Sequence, residues 1–530
     1  MIQVIEQAAP APQASITAFI ALLLIASAVA MATKWVRVPY TLALVIVGLI
    51  ISPMHFLPSV HISPDLILLI FLPALLFEAA WNLKLDRLRE NLFPILLLAT
   101  VGVGLSAGVI ALILHFGIAL SWSSALLFGS IISATDPISV LAIFRSLGAP
   151  ARLTAIIEAE SLVNDGTAVV VFRIILGIVT GAAAVQNTAG VIFGSLQEFG
   201  VVVFGGIAVG AVAGAGASTL TSYFDDHLLE ITLTTITAYG AFLVAEGLHV
   251  SPVIAVLAAG LILGNYGRER GMSPTTQVAV NSFWEYAAFV VNSLVFLLIG
   301  LEIQLPAITQ NFGAVVWAIL AMLAGRALTV YGLMPLVNWR AKFVSIAWQH
   351  VLFWGGLRGS LSIALVLSLP ASLPGRADLI VMIFGAVIFS LLVQGLSISG
   401  LIRRTGLAGG AGAFRVHEMA QGQLLAEGAA LSELDRLREK GMVTERVYQA
   451  LRPPLTESQQ RLRQELQHLD EAKEPLDCSF QDSMLRHLVA VKKARLATLL
   501  REGLLSQESF HELSQKLDQE LASMDKEPER

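Results

Sequence analysis

Between residues 14 and 402 the sequence runs through one apolar stretch after another, each long enough to cross roughly 30 Å of hydrocarbon as a helix. The stretches lie near 14–32, 38–54, 63–81, 91–115, 122–145, 152–180, 197–222, 229–247, 250–265, 281–301, 312–337, 345–370 and 378–402. This pattern predicts an all-α polytopic membrane protein with about thirteen spans, in which the eighth and ninth could merge because only Gly247, Leu248 and His249 separate them. A mean hydropathy of +0.74 with 14% charged residues excludes an ordinary soluble globular chain.

The basic residues test that count, because cytoplasmic loops hold the excess of Lys and Arg. Lys34, Arg37, Lys84, Arg87, Arg89, Arg145, Arg152, Arg268, Arg270, Arg340, Lys342, Arg403 and Arg404 all fall on one side, and the opposite loops contain only Arg376. The N-terminus is expected outside and the C-terminus in the cytoplasm, although Asp225, Asp226 and His227 add no basic residue to their loop. No basic n-region precedes the first apolar stretch, so that span is expected to stay. The sequence carries no Asn-x-Ser/Thr site, a hint of a bacterial source, and the expected location is the bacterial inner membrane.

Composition changes after residue 404, where 17 of the 34 basic residues lie in the last quarter of the chain. The expected division is therefore a membrane domain at 1–404 and a soluble cytosolic helical domain at 405–530. The second domain reads as short amphipathic helices, and Leu437 to Thr444 resembles Leu500 to Ser506, each suggesting a Gly stop followed by a Ser/Thr cap. Its lone Cys478 has no internal partner, as suits a reducing cytosol.

One stretch breaks the apolar pattern of the sixth span: Glu160-Ser161-Leu162-Val163-Asn164-Asp165-Gly166-Thr167. An ionised side chain at the bilayer centre costs roughly 2.5–3.5 kcal/mol on insertion scales, so such a cluster marks a functional site. At about 100° per residue, Glu160, Ser161, Asn164 and Asp165 share one face. Asp136, Asp165, Arg326 and Arg358 each fall near the middle of a different span, so four helices bring charge to one depth.

Two of those spans should be interrupted. Pro137 in Ser133-Ala134-Thr135-Asp136-Pro137 removes a backbone donor and disfavours helix at Asp136, while Gly355, Gly356 and Gly359 surround Arg358. Reading the spans as six, a linker and six puts each interruption fifth in its half, the arrangement of an inverted-repeat transporter with its site at the midplane. Two crossing broken helices present half-helix ends of both signs, and Asp136 and Arg358 have the charges to compensate them.

Charge counting sets Asp136, Glu160 and Asp165 against Arg326 and Arg358, leaving one carboxylate over. Asp165 is assigned as that group, with Glu160 held by an arginine. Burial disfavours the ionised form of a lone carboxylate, so either a proton or a small hard cation can neutralise it, and the two compete. Thr135, Ser161 and carbonyls freed by the unwinding would add oxygen ligands for Na+ at Asp165, with Asn164 as a brace. If the loaded site crosses only when neutral, exchange is obligatory. Glu78, near the end of the third span beside Trp81, and Glu158 are candidates for an entry funnel, and Arg173 receives no role.

The motifs Phe71-Leu72-Pro73-Ala74-Leu75-Leu76-Phe77-Glu78-Ala79, Ala134-Thr135-Asp136-Pro137, Glu160 to Thr167 and Gly356-Leu357-Arg358-Gly359 occur in that order. Together they resemble the monovalent cation:proton antiporter superfamily, in the branch of NhaP-like sodium/proton antiporters and sodium/proton exchangers. That resemblance implies a homodimer whose mobile core carries the ion past a dimerisation domain in an elevator-like motion. It also implies Asp165 as the ion- and proton-binding carboxylate, Ser161, Glu160 and Thr135 around the ion, and Asn164 and Asp136 as supports. The pair Asn164-Asp165 is similar to that of members exchanging one cation for one proton, serving pH and sodium homeostasis. Na+ is the expected cation, with Li+ or K+ accepted by relatives and a K+/H+ antiporter as the alternative.

Two other classes compete. An intramembrane aspartyl protease needs paired aspartates, but the arginines at equal depth and the missing Gly-x-Gly-Asp sequence argue against it. A passive cation channel would conduct without stoichiometric proton movement. No Gly-rich phosphate loop supports an ATP-driven pump. The expectation is a transporter rather than an enzyme, with no cofactor and no nucleic-acid partner.

Overall fold

The computed structural model describes residues 12–33, 39–54, 66–180, 188–223, 226–303, 305–341, 343–407 and 410–471, with a few isolated positions besides. Lys34, Arg37, Asp225, Lys342, Cys478 and most of the Leu500 to Ser506 segment lie outside the described residues. The described elements are all helical. The chain divides into two compact units, Met1–Gly412 and Ala413–Arg530.

In the first unit we number the helices α1 Thr17–Ala32, α2 Tyr40–Met54, α3 Ile67–Asn82, α4 Leu92–Ile118, α5 Trp122–Leu147, α6 Ala151–Val179, α7 Gln197–Thr221, α8 His227–Gly247, α9 Pro252–Gly267, α10 Thr275–Glu302, α11 Phe312–Arg340, α12 and α13 Arg376–Arg404. The helix α12 consists of two pieces, Ile346–Trp354 and Ser360–Leu367. Eight of the helices, α4 to α8, α10, α11 and α13, are long and apolar enough to cross a membrane, and α1, α2, α3 and α9 are shorter apolar helices.

The possible merger of α8 with α9 does not occur. His249 turns the chain with φ of 55°, and Ser251 caps the next helix by accepting from the Ile254 amide at 3.3 Å. Helix α5 is interrupted between Ser133 and Ile138, as Pro137 requires, and α12 between Trp354 and Ser360, within its glycines. Small residues set the closest helix approaches, the usual device where lipid supplies no hydrophobic drive. A Cβ on Gly48 of α2 would lie 2.9 Å from the Gly300 Cα of α10, and one on Gly129 of α5 would lie 3.0 Å from the Ala107 Cα of α4. Arg173, unexplained in the sequence, bonds Glu246 of α8 at 3.0 Å near the surface.

The second unit holds all but the first three residues of α14 (Gly410–Glu439) and the whole of α15 (Glu445–Glu471), helices of 30 and 27 residues rather than the short ones expected. Their Ala, Leu, Glu, Gln and Arg content favours long helices. The expected stop is present: Gly441 has φ of 68°, and Thr444 immediately precedes α15. Tyr448 ties the two helices by donating to Asp435 Oδ1 at 2.7 Å and lying 4.2 Å beneath the Arg438 guanidinium.

Candidate functional site

The interruptions of α5 and α12 meet. The Asp136 amide donates to the Leu357 carbonyl at 2.8 Å, and Ser362 Oγ donates to the Ile131 carbonyl at 2.9 Å. Gly359 makes the approach possible, because a Cβ there would collide with the carboxyl group of Asp136.

Each interruption exposes unpaired carbonyls on one half-helix and unpaired amides on the other, with partial charges of opposite sign. Arg358 Nη1 donates to the carbonyls of Ser133 and Ala134, both at 3.0 Å, where the first half of α5 ends. Arg326 of α11 donates to the Leu352 carbonyl through Nε at 3.3 Å and Nη2 at 3.0 Å, near the end of the first half of α12. Asp136 Oδ1 accepts from the Ile138 amide at 3.0 Å, at the start of the second half of α5, and the same side chain lies against Gly359 where the second half of α12 begins. Cationic side chains thus meet carbonyl ends and a carboxylate meets amide ends.

Helix α6 lies across this junction. Arg326 grips Glu160 with both arms of its guanidinium, Nη1 to Oε1 at 2.8 Å and Nη2 to Oε2 at 3.2 Å, and Glu160 is buried. Asn164 Nδ2 donates to Thr135 Oγ1 at 3.2 Å and to Glu160 Oε1 at 3.4 Å. Ser161 Oγ donates to the Thr135 carbonyl, and Thr135 Oγ1 donates to Ser161 Oγ at 3.3 Å. One polar face of α6 therefore clasps the unwound residue of α5.

The structure brings Thr135, Asp136, Glu160, Ser161, Asn164, Asp165, Arg326 and Arg358 together. Its charge balance differs from simple counting. Among the described residues Arg326–Glu160 is the ion pair of the cluster, Arg358 serves helix carbonyls, and Asp136 serves helix amides. Asp165 Oδ1 is buried with no hydrogen-bond partner among the described residues. The freed carbonyls of Ser133, Ala134 and Thr135 each accept one hydrogen bond, from Arg358 or Ser161, and each keeps a second lone pair. The hydroxyl-bearing Thr135 and Ser161 line the same cavity as the Asp165 carboxylate, a hard-oxygen set suited to a hard cation.

Asp165, Asp136, Thr135 and Ser161 border a cavity of about 400 Å³. Glu78 of α3, Arg145 of α5 and Glu158 of α6 line the same cavity. Asn82 donates to Glu78 Oε1 at 2.8 Å. Sequence reasoning missed Glu285 and Asn292 of α10, which also line the cavity, Asn292 with a buried unpartnered Oδ1. Their spacing of seven residues, two helical turns in an otherwise apolar run, was the available signal.

A family profile described as sodium/hydrogen exchanger, transmembrane, matches residues 19–404. The sequence is 46% identical to the Na+/H+ antiporter ApNhaP of Aphanothece halophytica over 402 residues, covering 75% of each chain. It is 38% identical to the Na+/H+ antiporter NhaG of Bacillus atrophaeus over 510 residues, covering 92% of this chain and 93% of that one. Among solved structures, the sodium proton antiporter MjNhaP1 of Methanocaldococcus jannaschii superposes with a TM-score of 0.61 at 20% identity, covering 74% of this chain and 98% of that one.

Proposed function

The chain belongs to the sodium/hydrogen exchanger family, and from that premise we propose that this integral membrane protein is a Na+/H+ antiporter whose Asp165 carries either ion in turn. The observation that carries the reading is the state of Asp165. It is the carboxylate of the cluster whose Oδ1 has no hydrogen-bond partner among the described residues, and it borders a cavity beside the hydroxyl-bearing Thr135 and Ser161. The names of the relatives support Na+ and H+ as the exchanged pair.

In this reading Asp165, Ser161 and Thr135 bind Na+. Glu160 is neutralised by Arg326, Asn164 holds Glu160 and Thr135 in register, and Asp136 and Arg358 keep the interrupted helices closed on each other. Glu78 and Glu158 draw cations in along the cavity wall. A single carboxylate that must be neutral to cross gives one Na+ for one H+, hence electroneutral exchange.

The shorter apolar helices and the two-piece α12 complete thirteen crossings, arranged as an inverted repeat around the junction. The working form is a homodimer in a bacterial inner membrane, with an elevator-like core movement, the N-terminus outside, and residues 405–530 forming a cytosolic domain. Its cellular role is pH and sodium homeostasis.

The test is the purified protein in proteoliposomes with the membrane potential clamped. An imposed Na+ gradient should drive proton movement in the opposite direction, with Li+ and K+ compared at several pH values. Asp165→Asn should abolish it, and exchange that survives this substitution would remove Asp165 as the carrier. Cation flux without proton movement would favour a channel instead.

A further inference from the structure

A second, much smaller cavity lies beside the cluster. It encloses about 10 Å³ and shares no lining residue with the Asp165 cavity. Its wall is built by α4, α11 and the junction, and it includes Ser106, Asn164, Thr329 and Arg358. Three of those side chains are almost fully buried, Ser106 at 5%, Asn164 at 2% and Arg358 at 1% exposure. Each has an atom with no partner among the described residues: Ser106 Oγ, Asn164 Oδ1 and Arg358 Nε.

The orientations follow from the bonds already made. The Asn164 amide nitrogen donates to Glu160 Oε1, which also accepts from Arg326, so the amide oxygen is the atom left over. Arg358 commits Nη1 to the Ser133 and Ala134 carbonyls, and Nε is left with its proton. Buried polar atoms are almost always satisfied, and a void of roughly 10–15 Å³ with two to four polar partners is what one ordered water needs.

We infer that this cavity is a site for a single structural water, which accepts from Arg358 Nε and donates to Asn164 Oδ1 and Ser106 Oγ. The water fixes the Asn164 amide from behind. Asn164 in turn holds Thr135 and Glu160, so Ser106 is a positioning residue for the ion site although it lies on α4, outside every motif of the sequence. Its effect on transport rests on the exchange reading above; the water site does not.

Two measurements on the full-length protein test this. A density map fine enough to show ordered waters should contain a spherical feature within hydrogen-bond distance of all three atoms, and an empty cavity overturns the site. In proteoliposomes Ser106→Ala should raise the apparent KM for Na+ roughly tenfold, in the range seen when an outer-shell partner of a bound metal is removed, with the maximal rate kept. Thr329→Val is the control, since Thr329 lines the same cavity but its hydroxyl already donates to the Gly102 carbonyl at 3.1 Å. An unchanged KM in Ser106→Ala, or an equal rise in Thr329→Val, overturns the positioning role. Absence of exchange in the unmodified protein would instead sink the antiport reading and leave the map to decide the water.

Discussion

Asp165 and Glu160 are five residues apart on one helix, yet their surroundings separate them. Glu160 has both oxygens in the fork of Arg326, and Asp165 has an oxygen with no partner among the described residues. Removing one member of a buried pair strands the other charge, which costs about 3–5 kcal/mol. Arg326→Met should therefore lower the melting temperature in detergent sharply, and adding Glu160→Gln should recover much of the loss, though not the part due to the Leu352 carbonyl. Competition at Asp165 gives a second expectation: the apparent KM for Na+ rises as pH falls, approaching roughly tenfold per pH unit once the proton is the dominant occupant. A KM for Na+ that is flat with pH would separate the proton site from the cation site. These charged residues were legible because charge is conspicuous in an apolar run. Their pairing was partly so: an arginine on Glu160 and the compensation of half-helix ends by Arg358 and Asp136 were expected, but charge counting could not say which arginine takes Glu160 or which carbonyls Arg358 reaches.

The interruptions of α5 and α12 follow from Pro137 and the glycines around Arg358, but only the assembled elements show why Gly359 must lack a side chain. Its φ of −130° suits any residue, so the constraint is steric, set by the Asp136 carboxyl group facing it. Gly359→Ala should destabilise the protein by about 1–3 kcal/mol, the usual cost of overpacking, and should cut the exchange rate by prising the two half-helix starts away from Asp136. Gly104→Ala on α4, where an added Cβ meets nothing within 4 Å, should leave stability within about 1 kcal/mol. Equal melting temperatures for the two variants would show that the junction is looser than its contacts imply. In α14 and α15 the Gly441 stop and the Thr444 cap position were readable, because they are local rules of helix termination. The helix lengths were not, since propensity over thirty residues is a sum of many small terms.

The whole chain divides near the point where its composition changes, into Met1–Gly412 and Ala413–Arg530. A chain ended after Gly412 should insert, fold and keep Na+-driven proton movement in proteoliposomes; loss of exchange in well-folded truncated protein would make the second unit part of the transport machinery. The sequence alone determined a helical, membrane-embedded chain with charge gathered on a few mid-span residues and two broken helices. Those properties follow from hydropathy, from proline and glycine chemistry, and from the cost of placing charge in hydrocarbon, all of which act within a single segment. Tertiary structure alone decided that Arg326 rather than Arg358 is the arginine on Glu160, that the half-helix end Arg358 compensates is met at the Ser133 and Ala134 carbonyls, that Asn292 joins the Asp165 cavity, and that Ser106, 58 residues before Asn164 in the chain, borders a void with it. Each of these depends on which atoms of distant helices come within about 3 Å of one another, a distance that hydrogen bonds require and that side-chain periodicity along one helix cannot specify.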